Sequence, residues 1–439
     1  MTKASFCMMC CFWITLFTHT RAQTVISSFD ELLQLTGAKS LTLKNTDITI
    51  TQAKKARLAS LMGIVDPTGS VSGSYTNNTQ LPVSLFPAEI LGGQPGTFQE
   101  VPLGVQYQTN FNAYIDIKLL NPQGWSNLRL AKINIDLSET EQKLTRKQLY
   151  EDIAAVYFNI LTLQEQLTAT GQNVAAADTL AQTVAEKYRQ GLANGQELND
   201  SQATLLSTQE SYRQIQYLVE QQILSLKVLC DIPETEQIQF TQPVQGNVDL
   251  YTVNISENTL QATNAMLQEK YAQVNYYKMV NSNLPTLSII GSSTRQQFNT
   301  VPRLFDNRVN WIPSSYIGLQ ISMPIPGTNS IAGFYKARFD YERARNGAIQ
   351  ARANAQSAAK QLQVEYNKSF SQYKNNQQVY ELHRDSYQKN ALNYQAGILT
   401  LDQTINSFNT MVNSQYQAIS SAIQVLLTEA KINIHNKIQ

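Results

Sequence analysis

Apolar residues recur every seven positions through two long stretches of this chain. Between about Ser126 and Gln190 there is no proline, and Ile153, Ile160, Leu167, Val174, Ala181 and Tyr188 form one row. Val156, Leu163, Thr170, Ala177 and Val184 form a second row three residues on. Such a two-row seam predicts a long helix lying against other helices, about 100 Å in length at about 1.5 Å per residue. The sequence Gly191-Leu192-Ala193-Asn194-Gly195 then breaks the pattern. It resumes with Leu198, Leu205, Tyr212, Val219 and Leu226 and stops before Pro233, so the pair reads as an antiparallel helical hairpin with its tip at 191–195. The same grammar returns in the second half. A proline-free run from Ile331 to Gln395 carries Tyr366, Tyr373, Tyr380, Tyr387 and Tyr394 in sevens, and after Gly397 the series Ile405, Val412, Ile419 and Leu426 follows. An aromatic stripe at this spacing is read as packing between helices.

A different period precedes each hairpin. Val105, Tyr107, Thr109, Phe111, Ala113, Ile115, Ile117 and Leu119 alternate with Gln106, Gln108, Asn110, Asn112, Tyr114, Asp116 and Lys118. That alternation predicts a strand over 105–119 with one apolar face and one face for water. Ile317, Leu319, Ile321 and Met323 repeat the pattern within a strand over 315–324, and weaker partners are predicted over 69–77 and 286–294, each preceded by a helix. The segments between the strands of each pair, 78–104 and 294–314, read as exposed loops.

The two halves align. Tyr188-x-x-Gly191 and Tyr394-x-x-Gly397 lie 206 apart (394 less 188), and Ile117 and Ile321 lie 204 apart (321 less 117). Near-equal offsets point to a tandem duplication. Repeat 1 covers 23–245, with a hairpin over 126–230. Repeat 2 covers 246–439, with a hairpin over 330–436 and its tip at 395–400. Four strands per chain cannot close a barrel, because a small membrane barrel needs about eight and an open edge in lipid leaves backbone groups unpaired. Oligomerisation therefore has to supply the missing strands, and the polar faces, Gln106 to Lys118, would line a watery lumen.

Composition narrows the class. Lys3 and the apolar stretch Phe6–Phe17, followed by Thr20-Arg21-Ala22, predict a signal peptide over 1–22, too short for a membrane-spanning helix. Three of the four cysteines, Cys7, Cys10 and Cys11, would leave with it, so Cys230 alone remains and no internal disulfide can form. Of 34 basic residues Lys3 and Arg21 also leave, so 32 stand against 33 acidic ones, a balance that does not suggest nucleic acid as a partner. Three histidines, His19, His383 and His435, show no metal-ligand spacing, and there is no nucleophile motif. The chain is expected not to be an enzyme and to need no cofactor. An exported structural coiled-coil stalk is the competing reading. It accounts for the heptads but leaves the alternating strands and the duplication unexplained.

The two Tyr-x-x-Gly tips, each at the break of a helical hairpin downstream of amphipathic strands, make the chain resemble the TolC family of outer-membrane efflux proteins over nearly all of its length. The resemblance implies a mainly α fold with membrane β: a homotrimer whose 12-strand outer-membrane barrel continues as an α-helical coiled-coil tunnel into the periplasm. It implies a passive exit duct of a tripartite efflux or type I secretion system, partnered by a periplasmic adaptor and an inner-membrane pump and seated in outer-membrane lipid. The tips would form the entrance, with Tyr188, Gly191, Glu197 and Asp200 in repeat 1 and Tyr394, Gly397, Asp402, Gln403 and Asn406 in repeat 2. In the best-known members, acidic residues six and nine positions after the second-repeat glycine constrict the entrance. Here those positions are the uncharged Gln403 and Asn406, and Leu399 stands where a basic residue is often found. A cation-selective ring of carboxylates is therefore not implied at the second tip, and these polar residues read equally as solvated turn residues.

Overall fold

The computed structural model describes residues 23–26, 28–240, 255–256, 259–304 and 307–438. The predicted signal peptide and the predicted junction between the repeats lie outside them. In chain order the elements are β1 (Gln23–Ile26), α1 (Phe29–Lys39), α2 (Leu41–Met62), β2 (Thr68–Asn77), β3 (Val83–Pro87), a short 3-10 turn (Ala88–Leu91), β4 (Phe98–Pro102), β5 (Tyr107–Leu120), α3 (Pro122–Arg189) and α4 (Gly195–Leu229). There follow β6 (Gln237–Phe240), α5 (Leu260–Asn281), β7 (Thr286–Asn299), β8 (Ile312–Ser322), α6 (Thr328–Gln395) and α7 (Leu401–Lys437). Helices α3 and α6 are each 68 residues long, so the heptad seams run unbroken as single helices in both halves. Helix α3 starts four residues earlier than its heptads suggest. Pro122 sits in its first turn, where a missing amide hydrogen is harmless, and the Gly124 amide donates to Asn121 Oδ1 at 3.0 Å.

The chain divides into two compact units, each drawing on both halves of the sequence. One comprises Asn45–Lys143 and Asn258–Ala355. Its centre is an antiparallel sheet in the order β2-β5-β7-β8, with Thr109 opposite Tyr75 and Gln297, and Ile115 opposite Gly69 and Gly291. Strands β2 and β8 are its two edges. The helical segments of this unit follow the same order. Lys54 of α2 lies 3.9 Å from Glu139 of α3, Asn281 of α5 donates to Ser126 of α3 at 2.9 Å, and the Tyr276 ring of α5 lies 5.3 Å from Phe334 of α6. Lys118 pairs with Asp66 where β5 returns toward α2.

Two features of this unit go beyond the alternation in the sequence. Strand β7 continues to Asn299, five residues past the expected end, because Thr294, Arg295, Gln296, Gln297 and Phe298 all find register partners on β5. The segment 78–104, expected as an open loop, holds the hairpin β3–β4, with Leu85 opposite Glu100 and Pro87 opposite Phe98.

The other unit contains the described residues of Met1–Lys44, Leu144–Glu257 and Gln356–Gln439. Its core joins Leu32 and Leu33 of α1, Ile153, Tyr157 and Ile160 of α3, Leu226 of α4, Ile238 of β6 and Ile423 of α7. Ile153 and Ile160, seven apart in the first heptad row, are both fully buried. Shortening either to Ala would cost roughly 2–5 kcal/mol through lost burial and an unfilled cavity. Burial pushes the Tyr157 hydroxyl up to about 12 and raises the Cys230 thiol, so Cys230 is packing rather than a reactive group. Strand β1 pairs in parallel with β6. The tyrosine row of α6 is helix packing. Tyr366 is buried, Gln415 of α7 donates to the Tyr380 hydroxyl at 3.2 Å, and the Tyr387 ring lies 5.3 Å from Phe408. Helices α3 and α7 are pinned by Asn173 donating to Gln415 at 2.8 Å and by a 2.7 Å bond between the Thr170 and Tyr416 hydroxyls.

Candidate functional site

Two regions concentrate the chemistry, one in each unit. The first is the sheet. Successive side chains on a strand point to opposite faces, so Gln108, Asn110, Asn112, Tyr114, Asp116 and Lys118 of β5 share one face. Gln106 precedes the strand, and its carbonyl accepts from the Asn78 amide at 2.7 Å. By register the neighbours on that face are Ser70, Ser72 and Ser74 of β2 and Ser292, Thr294 and Gln296 of β7. The hydroxyls of Ser292 and Thr294 both donate to Asn112 Oδ1, at 2.9 Å each. Asn110 Oδ1 and Asp116 Oδ1 are buried without a hydrogen-bond partner. A face this polar is suited to water.

The opposite face is apolar and open. Val71, Phe111, Ile115, Leu119, Ile317, Leu319 and Ile321 are all exposed, Ile317 by 82%. Large aliphatic side chains so exposed, on three strands of one sheet, need an apolar environment. Toward the β3–β4 end, this face is covered by the chain itself. Thr109 donates to the Leu304 carbonyl at 3.0 Å, Gln297 to the Val309 carbonyl at 2.8 Å, and the Trp311 ring lies 5.7 Å from Phe111. No helix among the described residues is long and apolar enough to cross a membrane, which says nothing of a β-barrel. No group of His, Cys, Asp or Glu among the described residues could hold a metal ion.

The second region is the pair of helical tips. Gly191 and Gly397 both have φ of +73°, the left-handed conformation that a Cβ disfavours. The Gly191 amide donates to Tyr188 O at 3.0 Å and the Leu192 amide to Lys187 O at 2.8 Å. At the second tip Gly397 donates to Tyr394 O at 3.0 Å and Ile398 to Asn393 O at 2.9 Å. Each Tyr-x-x-Gly is therefore a Schellman motif, in which the glycine ends the helix and satisfies its last carbonyls.

The next helices open with matching capping boxes. The Glu197 amide donates to Asn194 Oδ1 at 2.9 Å while Glu197 Oε2 accepts from the Asn194 amide at 2.8 Å. Gln403 and Thr400 repeat the exchange at 3.4 Å in both directions. Glu197 and Gln403 thus hold the first turns of α4 and α7. Asp200, Asp402 and Asn406 are exposed, and Asn406 donates to Asp402 at 3.3 Å.

The two tip tyrosines are not equivalent. Tyr188 is 46% exposed, whereas Tyr394 is 4% exposed in a cluster with Leu180, Val184 and Leu401. Burial, with a smaller contribution from the Glu197 carboxylate, raises the Tyr394 hydroxyl, which is buried without a partner. Lys187 joins the tips, donating to Tyr394 O at 2.6 Å with its ammonium 4.3 Å from the ring centroid. The sequence marks Glu197 and Gln403 as tip residues, but neither their capping role nor Lys187 stands out in it. The caps had a legible signal, since Asn194-x-x-Glu197 and Thr400-x-x-Gln403 open heptad runs. Lys187 had only its place in a last helical turn, where cations are common.

Residues 104–230 match the family model of the outer membrane efflux proteins. No curated protein matches the sequence. Among solved structures, the outer membrane protein VceC of Vibrio cholerae superimposes with a TM-score of 0.74 at 14% identity, covering 93% of this chain and 95% of that one. The outer membrane channel CmeC of Campylobacter jejuni gives 0.68 at 15% identity over 93% and 85% of the two chains. The open state of the MtrE outer membrane channel of Neisseria gonorrhoeae gives 0.69 at 13% over 93% and 88%. Residues 104–230 thus carry a match to the outer membrane efflux proteins, and along nearly all of its length the chain has the fold of the solved outer-membrane channels.

Proposed function

We propose that this chain is the exit duct of a tripartite efflux or type I secretion system, a homotrimer in the outer membrane that passively conducts substrates from an inner-membrane pump and a periplasmic adaptor to the exterior. The observation that carries the reading is the sheet β2-β5-β7-β8, with two open edges, one exposed apolar face and one polar face. In lipid each unpaired backbone group costs several kcal/mol, so an open four-stranded sheet is untenable there. Three copies joined β8 to β2 give twelve strands and no edge. The face of Val71, Ile115 and Ile317 then meets lipid, and the face of Gln108 to Lys118 lines water. The tips at Tyr188–Gly191 and Tyr394–Gly397 form the entrance at which the adaptor docks, and the capped turns hold its shape.

The test uses the full chain in outer membranes. Detergent extraction should yield a species that runs as a trimer unheated and as a monomer after boiling. Paired cysteines along β2 and β8 should cross-link copies to one another, and the trimer should conduct ions in planar bilayers. Replacing a host's own exit duct with this chain should restore resistance to exported compounds when its adaptor and pump are supplied. A chain released by salt alone as a monomer would overturn the duct reading in favour of a structural stalk.

A further inference from the structure

One charge interrupts the apolar face of the sheet. Every second residue of β2, β5, β7 and β8 points to that face, and among them Arg295 is the only Lys, Arg, Asp or Glu. It stands opposite Phe111 on β5 and Pro313 on β8, is exposed, and forms no ion pair or hydrogen bond among the described residues. A lone cation on a lipid-facing surface costs about 2–4 kcal/mol at the bilayer midplane but only about 0–1 near an interface, so it belongs at an interface and calls for an anion there. Its position suits an interface. Arg295 lies eight residues beyond Leu287 (295 less 287), roughly 26 Å along a tilted strand, which spans most of an apolar band about 25 Å tall. Phe111 of the same row lies 5.7 Å from the Trp311 ring, and aromatic rings of this kind gather where membrane meets water. Two residues further on, Gln297 is already buried beneath the β7–β8 connection through its bond to Val309 O.

On the side toward the helices the face beside Arg295 is hollow. A cavity of about 430 Å³, within the range of small-ligand clefts, is lined by Ala113 and Ile115 of β5, Gly291 and Ser293 of β7 and Ile317 of β8. Gly291 stands between Ile115 and Ile317, so the floor along β7 is low and its walls are isoleucine side chains. Following β7 on the same face, Gly291 and Ser293 lead to Arg295. An apolar trough that ends in a guanidinium fits a molecule with an acyl chain and an anionic head. A peptide segment fits poorly, because the backbone groups of β7 are already taken up by β5 and β8 and would leave those of the peptide unpaired in lipid. Charge also selects the headgroup. No carboxylate on this face could receive the cationic half of a zwitterionic head, whereas the planar fork of Arg295 matches phosphate oxygens.

We propose that Arg295 and the groove between Ile115 and Ile317 bind an anionic phospholipid, the guanidinium donating to its phosphate and one acyl chain lying over Gly291 and Ser293. This rests on the reading above that the apolar face meets lipid. The full-length trimer in non-ionic detergent, given phosphatidylglycerol or phosphatidylcholine of equal chain length, should hold the former about fivefold more tightly by native mass spectrometry. Arg295→Gln should erase that preference, and Arg295→Lys should keep part of it. Ser293→Phe fills the groove and should weaken both lipids severalfold; Gly291 is unsuitable for this, since a Cβ there would stand 3.2 Å from Ile115 Cγ2. The comparison of the two lipids on the wild-type trimer needs no variant, so a misfolded variant does not shield the proposal. Equal affinity for the two lipids, or a preference that survives Arg295→Gln, overturns it and leaves the duct reading intact. It also falls if inorganic phosphate binds Arg295 while Ser293→Phe leaves lipid binding unchanged, because the groove then takes no acyl chain. A chain that forms no trimer and leaves the membrane with salt alone overturns both.

Discussion

Lys187 Nζ lies 2.6 Å from the backbone carbonyl of Tyr394, which also accepts the Gly397 amide at 3.0 Å, so one oxygen joins the end of α3 to the glycine turn that ends α6. Both lone pairs of that carbonyl are occupied, and the ammonium also lies over the Tyr394 ring. The contact is within one chain and has no counterpart at the other tip, where Tyr188 stands exposed.

Loosening this contact should open the entrance. Tyr394→Ala removes a buried ring and the platform beneath Lys187, and the expected outcome is a higher single-channel conductance in planar bilayers. Tyr188→Ala, at an exposed position, should leave conductance near the wild-type value. Equal effects of the two substitutions would show that the burial difference plays no part in gating.

Capping and charge can be separated at Glu197. Glu197→Ala breaks the capping box and should destabilise the start of α4 by about 1 kcal/mol, read as faster amide exchange over 195–200. Glu197→Gln keeps both cap bonds, because glutamine serves equally at that place, as Gln403 already does at the second tip. Its exchange should therefore match the wild type. Any change in cation selectivity in that variant reports the carboxylate's charge alone.

The two faces of the sheet should tolerate charge very differently. Leu319→Lys puts an ammonium on the exposed apolar face and should cost about 2–4 kcal/mol if that face lies near the bilayer midplane. Gln320→Lys, one residue on, points to the polar face and should assemble normally. The measurement is the fraction of chain recovered as heat-sensitive trimer. Equal recovery would mean that the apolar face does not meet lipid.

How far the sequence reveals this fold depends on whether each signal is local. Heptads show the long helices because a seam that buries Ile153 and Ile160 must repeat every two turns, and alternation shows β5 because one face is apolar and the other polar. Where chain covers both faces the signal fades. Residues 294–299 of β7 are largely polar on either side, since Gln297 is buried through a bond to Val309 O, and they read as loop. The β3–β4 hairpin was hidden by its prolines and glycines. At the tips, Glu197 and Gln403 were legible as polar residues near a turn, but their bonds to the Asn194 and Thr400 amides give them a local structural task that the pore picture does not require. Lys187 could not be placed, because its partner Tyr394 lies 207 residues away and only folding brings them together.

A buried charge cluster gives a pH prediction. Lys147 Nζ lies 2.9 Å from His435 Nδ1 and 3.9 Å from Glu151, and His435 Nε2 lies 2.9 Å from the Ser256 carbonyl, which fixes the imidazole between α3 and the segment before α5. Burial raises the Glu151 carboxyl above its usual range, and the nearby charges of Lys147, Lys431 and His435 only partly offset it, while Asp152 adds to the rise. A carboxyl raised in the folded state takes up a proton on folding. Its contribution is most favourable below the ordinary carboxylate range and is lost as pH rises through the higher folded value. Lys147 is lowered by burial, with Glu151 partly raising it in the wild type. Glu151→Gln cannot titrate, so its melting temperature relative to wild type should climb as pH rises from about 4 to about 7. A constant difference over that range would show that Glu151 keeps its ordinary affinity for protons, and a falling one would show that attraction to Lys147 outweighs burial.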